Sequence, residues 1–181
     1  MIQEFTQEMK NYLKDTLKDV HTAIPGTIDE FNPVTGNAIV TPYGEYRKPD
    51  GTSIPFPRIS NVPVHVMQGN RQRATIALPI QRGDECILFF SEQALDAWRT
   101  AGEQSDIDLR FDLTNAIALV GLFARPNPLV QQACEENAII IKSGSDTVKI
   151  KNGQIEISSS ANITVKSAGT VNITGTTVQI N

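Results

Sequence analysis

The chain has 181 residues, a net charge of −4 and two cysteines. That length suits one or two domains around a sizeable core, and an acidic balance gives nucleic acid, which rewards concentrated Lys and Arg, little to bind. Cys86 and Cys134 fit no metal or redox spacing, no apolar run approaches the roughly 18–20 residues of a membrane span, and MIQEFTQEMKNYLKD at the start is too charged for a signal-peptide core; the expectation is a soluble cytoplasmic product.

In chain order, the first segment reads as a helix over residues 2–20. Phe5, Met9, Leu13, Leu17 and Val20 form one apolar stripe on a charged cylinder. Pro25 and Gly26 stop it. The stripe packs on its own domain or serves as a docking or oligomerising arm. Residues 1–22 are assigned as this helical arm.

Between residues 23 and 124, short strand-like runs alternate with turn signals: TAIPGTIDEF, NAIVTPY, NVPVHVM, RATIALP, ECILFFS and NAIALVGLF. PVTGN, KPDG and QRGD supply the turns. With a longer excursion at EQALDAWRTAGEQSDIDLRFD, this spacing suits a small closed barrel of the OB type, and a sandwich satisfies the same pattern. PNP at residues 126–128 and the polar QQACEEN after it read as a linker. The barrel domain is therefore taken as residues 23–135.

Past that point the composition changes. All ten prolines and all eleven aromatics lie at or before Pro128, and residues 138–181 carry 4 Lys and Arg against 2 Asp and Glu. Five aliphatic–polar–aliphatic triplets follow, flanked by Val148 and Ile150, Ile155 and Ile157, Ile163 and Val165, Val171 and Ile173, and Val178 and Ile180. Their starts are separated by 7, 8, 8 and 7 residues, and Ile139 to Ile141 form an earlier, irregular rung. Period-two alternation sends both aliphatics of a triplet to one face.

A repeat of this kind stacks, because one unit cannot bury its own face. Five or six strands make fewer than two coils of a single-chain solenoid, below the roughly three repeats stability needs. Three chains wound about one axis put every triplet inward and pair every open edge. Residues 136–181 are accordingly expected to form an intertwined trimeric β-helix, with the ten aliphatics as its core. The competing arrangement is a monomeric antiparallel meander, favoured by Asn152-Gly153 as a type I′ hairpin turn. The expected fold class is mainly β: N-terminal helix, OB-like barrel, trimeric β-helix.

Catalytic patterns were sought along the whole chain. His21 and His65 are the two histidines; His65 alternates with valines and reads as a barrel-wall residue. No Ser–His–Asp, HExxH, CxxC or phosphate-loop pattern occurs, and the pairs Asp84-Glu85, Glu135-Glu136 and Asp106 with Asp108 read as solvated turns rather than a glycosidase pair. Arg71 and Arg73 are the one basic cluster in the barrel segment, too little for single-stranded nucleic acid. Asn162 and Asn172 match the glycosylation sequon as a by-product of a Thr- and Asn-rich repeat. The expectation is a non-enzyme with no catalytic residue, metal or cofactor.

Two stretches carry a family resemblance: PIQRGDECILFFSEQALDAWRTAG (residues 79–102) and LRFDLTNAIALVGLFARPNP (residues 109–128). Gly83-Asp84 before an apolar strand ending in Phe and Ser, then Asp96 and Trp98, then Asp112 to Ala118 leading to Gly121-Leu122, resemble baseplate assembly protein V and related central-spike proteins of contractile-tailed phages. The family commonly has His where this chain has Phe111. Aliphatic triplets after the barrel are a further shared feature.

The resemblance implies a homotrimer in a virion tail baseplate, OB-fold domains above and a β-helix below, driven into the host envelope on sheath contraction. R-type bacteriocins and other contractile injection devices use the same part. It implies a hub protein as partner at the N-terminal end, docked by Phe5, Met9, Leu13 and Leu17, and transient contact with the host envelope. Such spikes often end in a His-x-His iron site; with no histidine past residue 65 the metal is not carried over, and a separately encoded tip protein is one expectation for the C-terminal end. Two rivals stand beside this reading. One is a receptor- or glycan-binding fibre protein, which usually carries an aromatic-bearing tip that this tail lacks. The other is a wall hydrolase.

Overall fold

The computed structural model describes residues 2–18, 20–48, 50–100 and 109–179. It divides into two compact units, Met1–Arg125 and Pro126–Asn181. The protein is mainly β, with a few short helices and a curled half-barrel sheet.

The first unit opens with helix α1 (Ile2–Lys18), on which Phe5, Met9 and Leu13 are exposed. Its main sheet has five strands in the order β5-β2-β1-β8-β9. These are β1 (Ala23–Asn32), β2 (Asn37–Pro42), β5 (Ile59–Pro63), β8 (Glu85–Phe90) and β9 (Ala116–Val120), all paired antiparallel. Two small hairpins project from it, β3 (Glu45–Arg47) with β4 (Ser53–Pro55), and β6 (Met67–Gly69) with β7 (Ala74–Ile76). The excursion after β8 holds the short helix α2 (Leu95–Thr100). Each of the six runs expected as strands contains one, although NVPVHVM divides between β5 and β6. The hairpin flanking KPDG was legible only as a turn.

Alternation builds the core. Along β2 and β8 every second residue is buried, so Ala38, Val40, Cys86, Leu88 and Phe90 face inward, joined by Ile28, Ile59, Val62, Ala116 and Ala118. Two irregularities bend the sheet. The register skips at Asp29, between Ile28 and Glu30, and the extra residue is held by Thr41 Oγ1 at 2.6 Å and Arg58 Nε at 2.9 Å, both donating to its carboxylate. In β5 the inward residues Ile59 and Val62 are three apart, because Asn61 takes a left-handed φ of 62°. Such bulges sharpen twist, and the sheet curls until its two edges meet. There Val64 forms a parallel bridge with Ala118, and the His65 amide donates to the Ala118 carbonyl at 2.8 Å. The His65 side chain itself is exposed beyond the end of β5, so it is not the barrel-wall residue expected from PVHVM.

A buried amide ties off the excursion. Asn115, 3% exposed, donates to the carbonyls of Ser91 and Gln93 at 2.9 and 2.8 Å and accepts from the Leu95 amide at 3.0 Å. Next to it, Phe111 adopts φ 55°, a conformation costly for a bulky residue. Its amide donates to Ser91 O and its carbonyl accepts from His21 N, each at 3.1 Å, which holds it there. His21 also packs edge-on to Phe56, with ring centroids 5.5 Å apart.

The second unit begins with helix α3 (Pro128–Glu136), followed by a three-stranded antiparallel sheet of β10 (Ala138–Ser143), β11 (Asp146–Lys151) and β12 (Gln154–Ser158). QQACEEN is thus helix rather than linker. Asn127 caps α3 by accepting from the Leu129 amide, Pro128 suits the first turn, and Gln131–Glu135 and Gln132–Glu136 bond at 2.7 Å along it. The compact division falls before Pro126 rather than near residue 135.

The first triplets take the meander, not a winding strand. Asn152-Gly153 does turn β11 into β12, but Gly153 alone has positive φ, 78°; a type I′ turn needs both central residues positive. Gly144 at φ 59° opens the other two-residue turn. Residues 159–179 form no ladder.

Gly26 sits where β1 is squeezed between its neighbours. A methyl there would lie 2.9 Å from Val40 Cγ1 and 3.1 Å from Thr41 O. Gly26→Ala is expected to lower unfolding free energy by about 1–3 kcal/mol, measured by chemical denaturation of the full chain. An unchanged midpoint would show that the strands part easily.

Candidate assembly surfaces

The three-stranded sheet has unlike faces. Register aligns Ile139 with Ile150 and Ile141 with Val148 across β10–β11, then Val148 with Ile157 and Ile150 with Ile155 across β11–β12. Six aliphatics therefore share one face. Val148 is half-buried and the other five are 40–71% exposed. Ile140 and Lys149 pair on the opposite face, where the Lys149 ammonium donates to both Glu136 oxygens at 2.9 and 3.1 Å. α3 is thereby held against the polar side, and among the described residues nothing from the same unit covers the aliphatic side.

The same pattern runs on without partners. Ile163, Val165, Val171, Ile173 and Val178 are 50–73% exposed. Ile180, the last expected core residue, lies outside the described residues, as do the Leu17 side chain, Asp106 and Asp108. The structure thus brings Val148, Ile150, Ile155 and Ile157 together and adds Ile139 and Ile141, which the irregular first rung had only hinted at. It leaves the later triplets apart. Apolar side chains thus lie exposed along both the formed sheet and the tail that follows it.

Other expected positions resolve differently. Asp84 closes the QRGD turn, its amide donating to the Gln81 carbonyl at 3.2 Å, while Glu85 opens β8; both are half-buried. Asp84 accepts from the Gln81 amide at 2.8 Å, and the Glu85 carboxylate accepts from the Ala124 amide. Arg71 and Arg73 flank the exposed tip of the β6–β7 hairpin. Burial pushes the Cys86 thiol up to about 11, so it acts as a small core hydrophobe. Among the described residues, no cluster of three or more His, Cys, Asp or Glu could hold a metal ion.

The Glu136 clamp titrates. Hydrogen bonds from Lys149 first, then Gln132, hold its carboxyl below the usual glutamate range. A carboxyl whose folded value lies below its unfolded one contributes stability above the unfolded value and loses it as pH falls through the folded one. The stability of α3, read as helical circular dichroism on acid titration, is therefore expected to fall as the pH drops below about 4, and Glu136→Gln is expected to weaken the clamp at neutral pH and flatten that dependence. Identical acid profiles in both proteins would assign the effect elsewhere.

One comparison places the chain among known sequences: the family described as phage protein Gp138 N-terminal domain matches residues 24–121. No curated protein matches it.

Proposed function

The chain belongs to the phage protein Gp138 N-terminal domain family, which makes it a phage structural protein, and on that premise we propose that it is the trimeric central spike of a contractile-tail baseplate. The observation that carries the reading is the uncovered aliphatic face of β10–β12 and its continuation in five further exposed aliphatics over residues 163–178. Three copies with these faces turned to a common axis bury them at once. The meanders form the upper part of the shaft, each with α3 on its outer side, and the ladderless tails wind together below as a β-helix, with Ile180 in its last rung.

The order of the five barrel strands and the parallel bridge between its edges fit an OB-type collar above the shaft. The apolar stripe of α1, with Phe5, Met9 and Leu13 exposed, suits docking to a hub protein. A separately encoded tip would sit at the other end. The role is mechanical rather than catalytic: the spike caps the tail tube and passes into the envelope when the sheath contracts. A dry aliphatic axis with strands paired between chains resists axial load, because no rung opens without its neighbours. Lys, Thr, Ser, Asn and Gln on the outward positions suit passage through an envelope rather than residence in it.

Light scattering on the full chain is expected to give three times the 19.8 kDa chain mass, and the assembly should survive strong detergent without heating. Ile150→Asp combined with Ile157→Asp is expected to yield monomers whose barrel unit remains folded. A monomeric parent protein would end this reading. Specific retention on a glycan array by a trimer would move it to the fibre class instead.

A further inference from the structure

Asn152 and Gly153 are the two turn residues between β11 and β12. Lys151 and Gln154 pair on either side of them, so the ladder closes before the turn and the Gly153 amide lies outside it. Among the described residues, neither that N–H nor the Asn152 side chain makes a hydrogen bond. Both residues are exposed, and the space where a Cβ would stand on Gly153 is open. Gly153, at φ 78°, can therefore swing its nitrogen without breaking a bond or meeting a side chain. Other asparagines are guarded. Asn115 is buried and donates to three carbonyls. Asn32 and Asn127 precede prolines, whose nitrogens carry no proton. Asn162 and Asn172 precede isoleucines, whose branched side chains crowd the approach. Asn152 is the one asparagine followed by glycine.

We infer that Asn152 is a site of spontaneous modification, at which the backbone nitrogen of Gly153 displaces the side-chain amide. The nitrogen gives its proton to solvent base and bonds to Asn152 Cγ. The Cγ–Nδ2 bond breaks, and Nδ2 leaves, reprotonated, as ammonia. Water then opens the cyclic imide at either carbonyl, which leaves aspartate or isoaspartate; nothing is oxidised or reduced. The two products differ in consequence. Aspartate keeps the length of the turn and adds a charge. Isoaspartate routes the main chain through the former side chain and so adds one atom to a two-residue turn. Lys151 and Gln154 then cannot pair as they do, and the register that sets Ile150 against Ile155 and Val148 against Ile157 is lost. The chemistry needs a single chain, and its outcome is to undo the aliphatic face of β11 and β12.

The test incubates the full chain in mildly alkaline buffer, with a second portion in denaturant. Peptide mapping that resolves aspartate from isoaspartate follows each asparagine. Conversion at Asn152 in the folded chain is expected to be no more than about tenfold slower than in denaturant, the factor that about 1.4 kcal/mol of turn opening would impose. Asn162 and Asn172 are expected to lag in both portions. The isoaspartate product should lose amide-exchange protection in β12, whereas Asn152→Asp, which brings the charge without the added atom, should keep it. An Asn152 that stays intact in the folded chain while converting in denaturant overturns the inference, as does equal conversion at Asn162 and Asn172. Isoaspartate at this turn with β12 still protected overturns the structural consequence.

Discussion

A three-stranded sheet has two faces, and in this chain only one is covered from within. The Glu136–Lys149 ion pair and the short helix that carries Glu136 commit the polar side of β10–β12 to an internal partner. Among the described residues, that choice leaves six aliphatics on the other side with no cover from the same unit. Short sheets of this size are marginal in water unless the apolar face meets something. The clamp thus settles which face of β10–β12 carries the helix and which is left open. Everything proposed about assembly depends on this division of labour between the two sides.

The barrel unit follows a different logic. Its ten buried hydrophobics form one closed core, reached by strict alternation in β2 and β8 and by two bulges that let the sheet curl. Stability there is internal. The two units therefore differ: the first buries its apolar residues in one core, while the second leaves most of its aliphatics exposed.

Much of the barrel could be read from residue order, because alternation and turn residues are local signals. ECILFFS and NAIVTPY have inward residues at every second position, and both became strands with buried patterns to match. β5 was harder to read, since a left-handed Asn61 breaks its period. The α3 helix was missed although Asn127-Pro128 is a sound helix start; the polar run after it hid the fact that its support comes from Lys149 across the sheet. Period-two alternation in the first two triplets matches the shared face of Val148, Ile150, Ile155 and Ile157, but the sequence could not say that these strands fold back on one another. That outcome turns on two glycines, Gly144 and Gly153, whose positive φ values fit tight two-residue turns.

Asn115 has a consequence for how such proteins diversify. Its side chain fastens Ser91, Gln93 and Leu95, the outgoing end of the excursion, to the point where the chain re-enters the sheet. Backbone bonds from Ser91 N to Asn115 O and from Phe111 N to Ser91 O close the same span, and Arg99 within it donates to Asn37 Oδ1 on β2. Extra residues inserted there would add only a small closure entropy, about 0.6 kcal/mol for each doubling of length. The base of the excursion is thus fixed to the sheet by several bonds, and its length can vary beyond that base at little entropic cost.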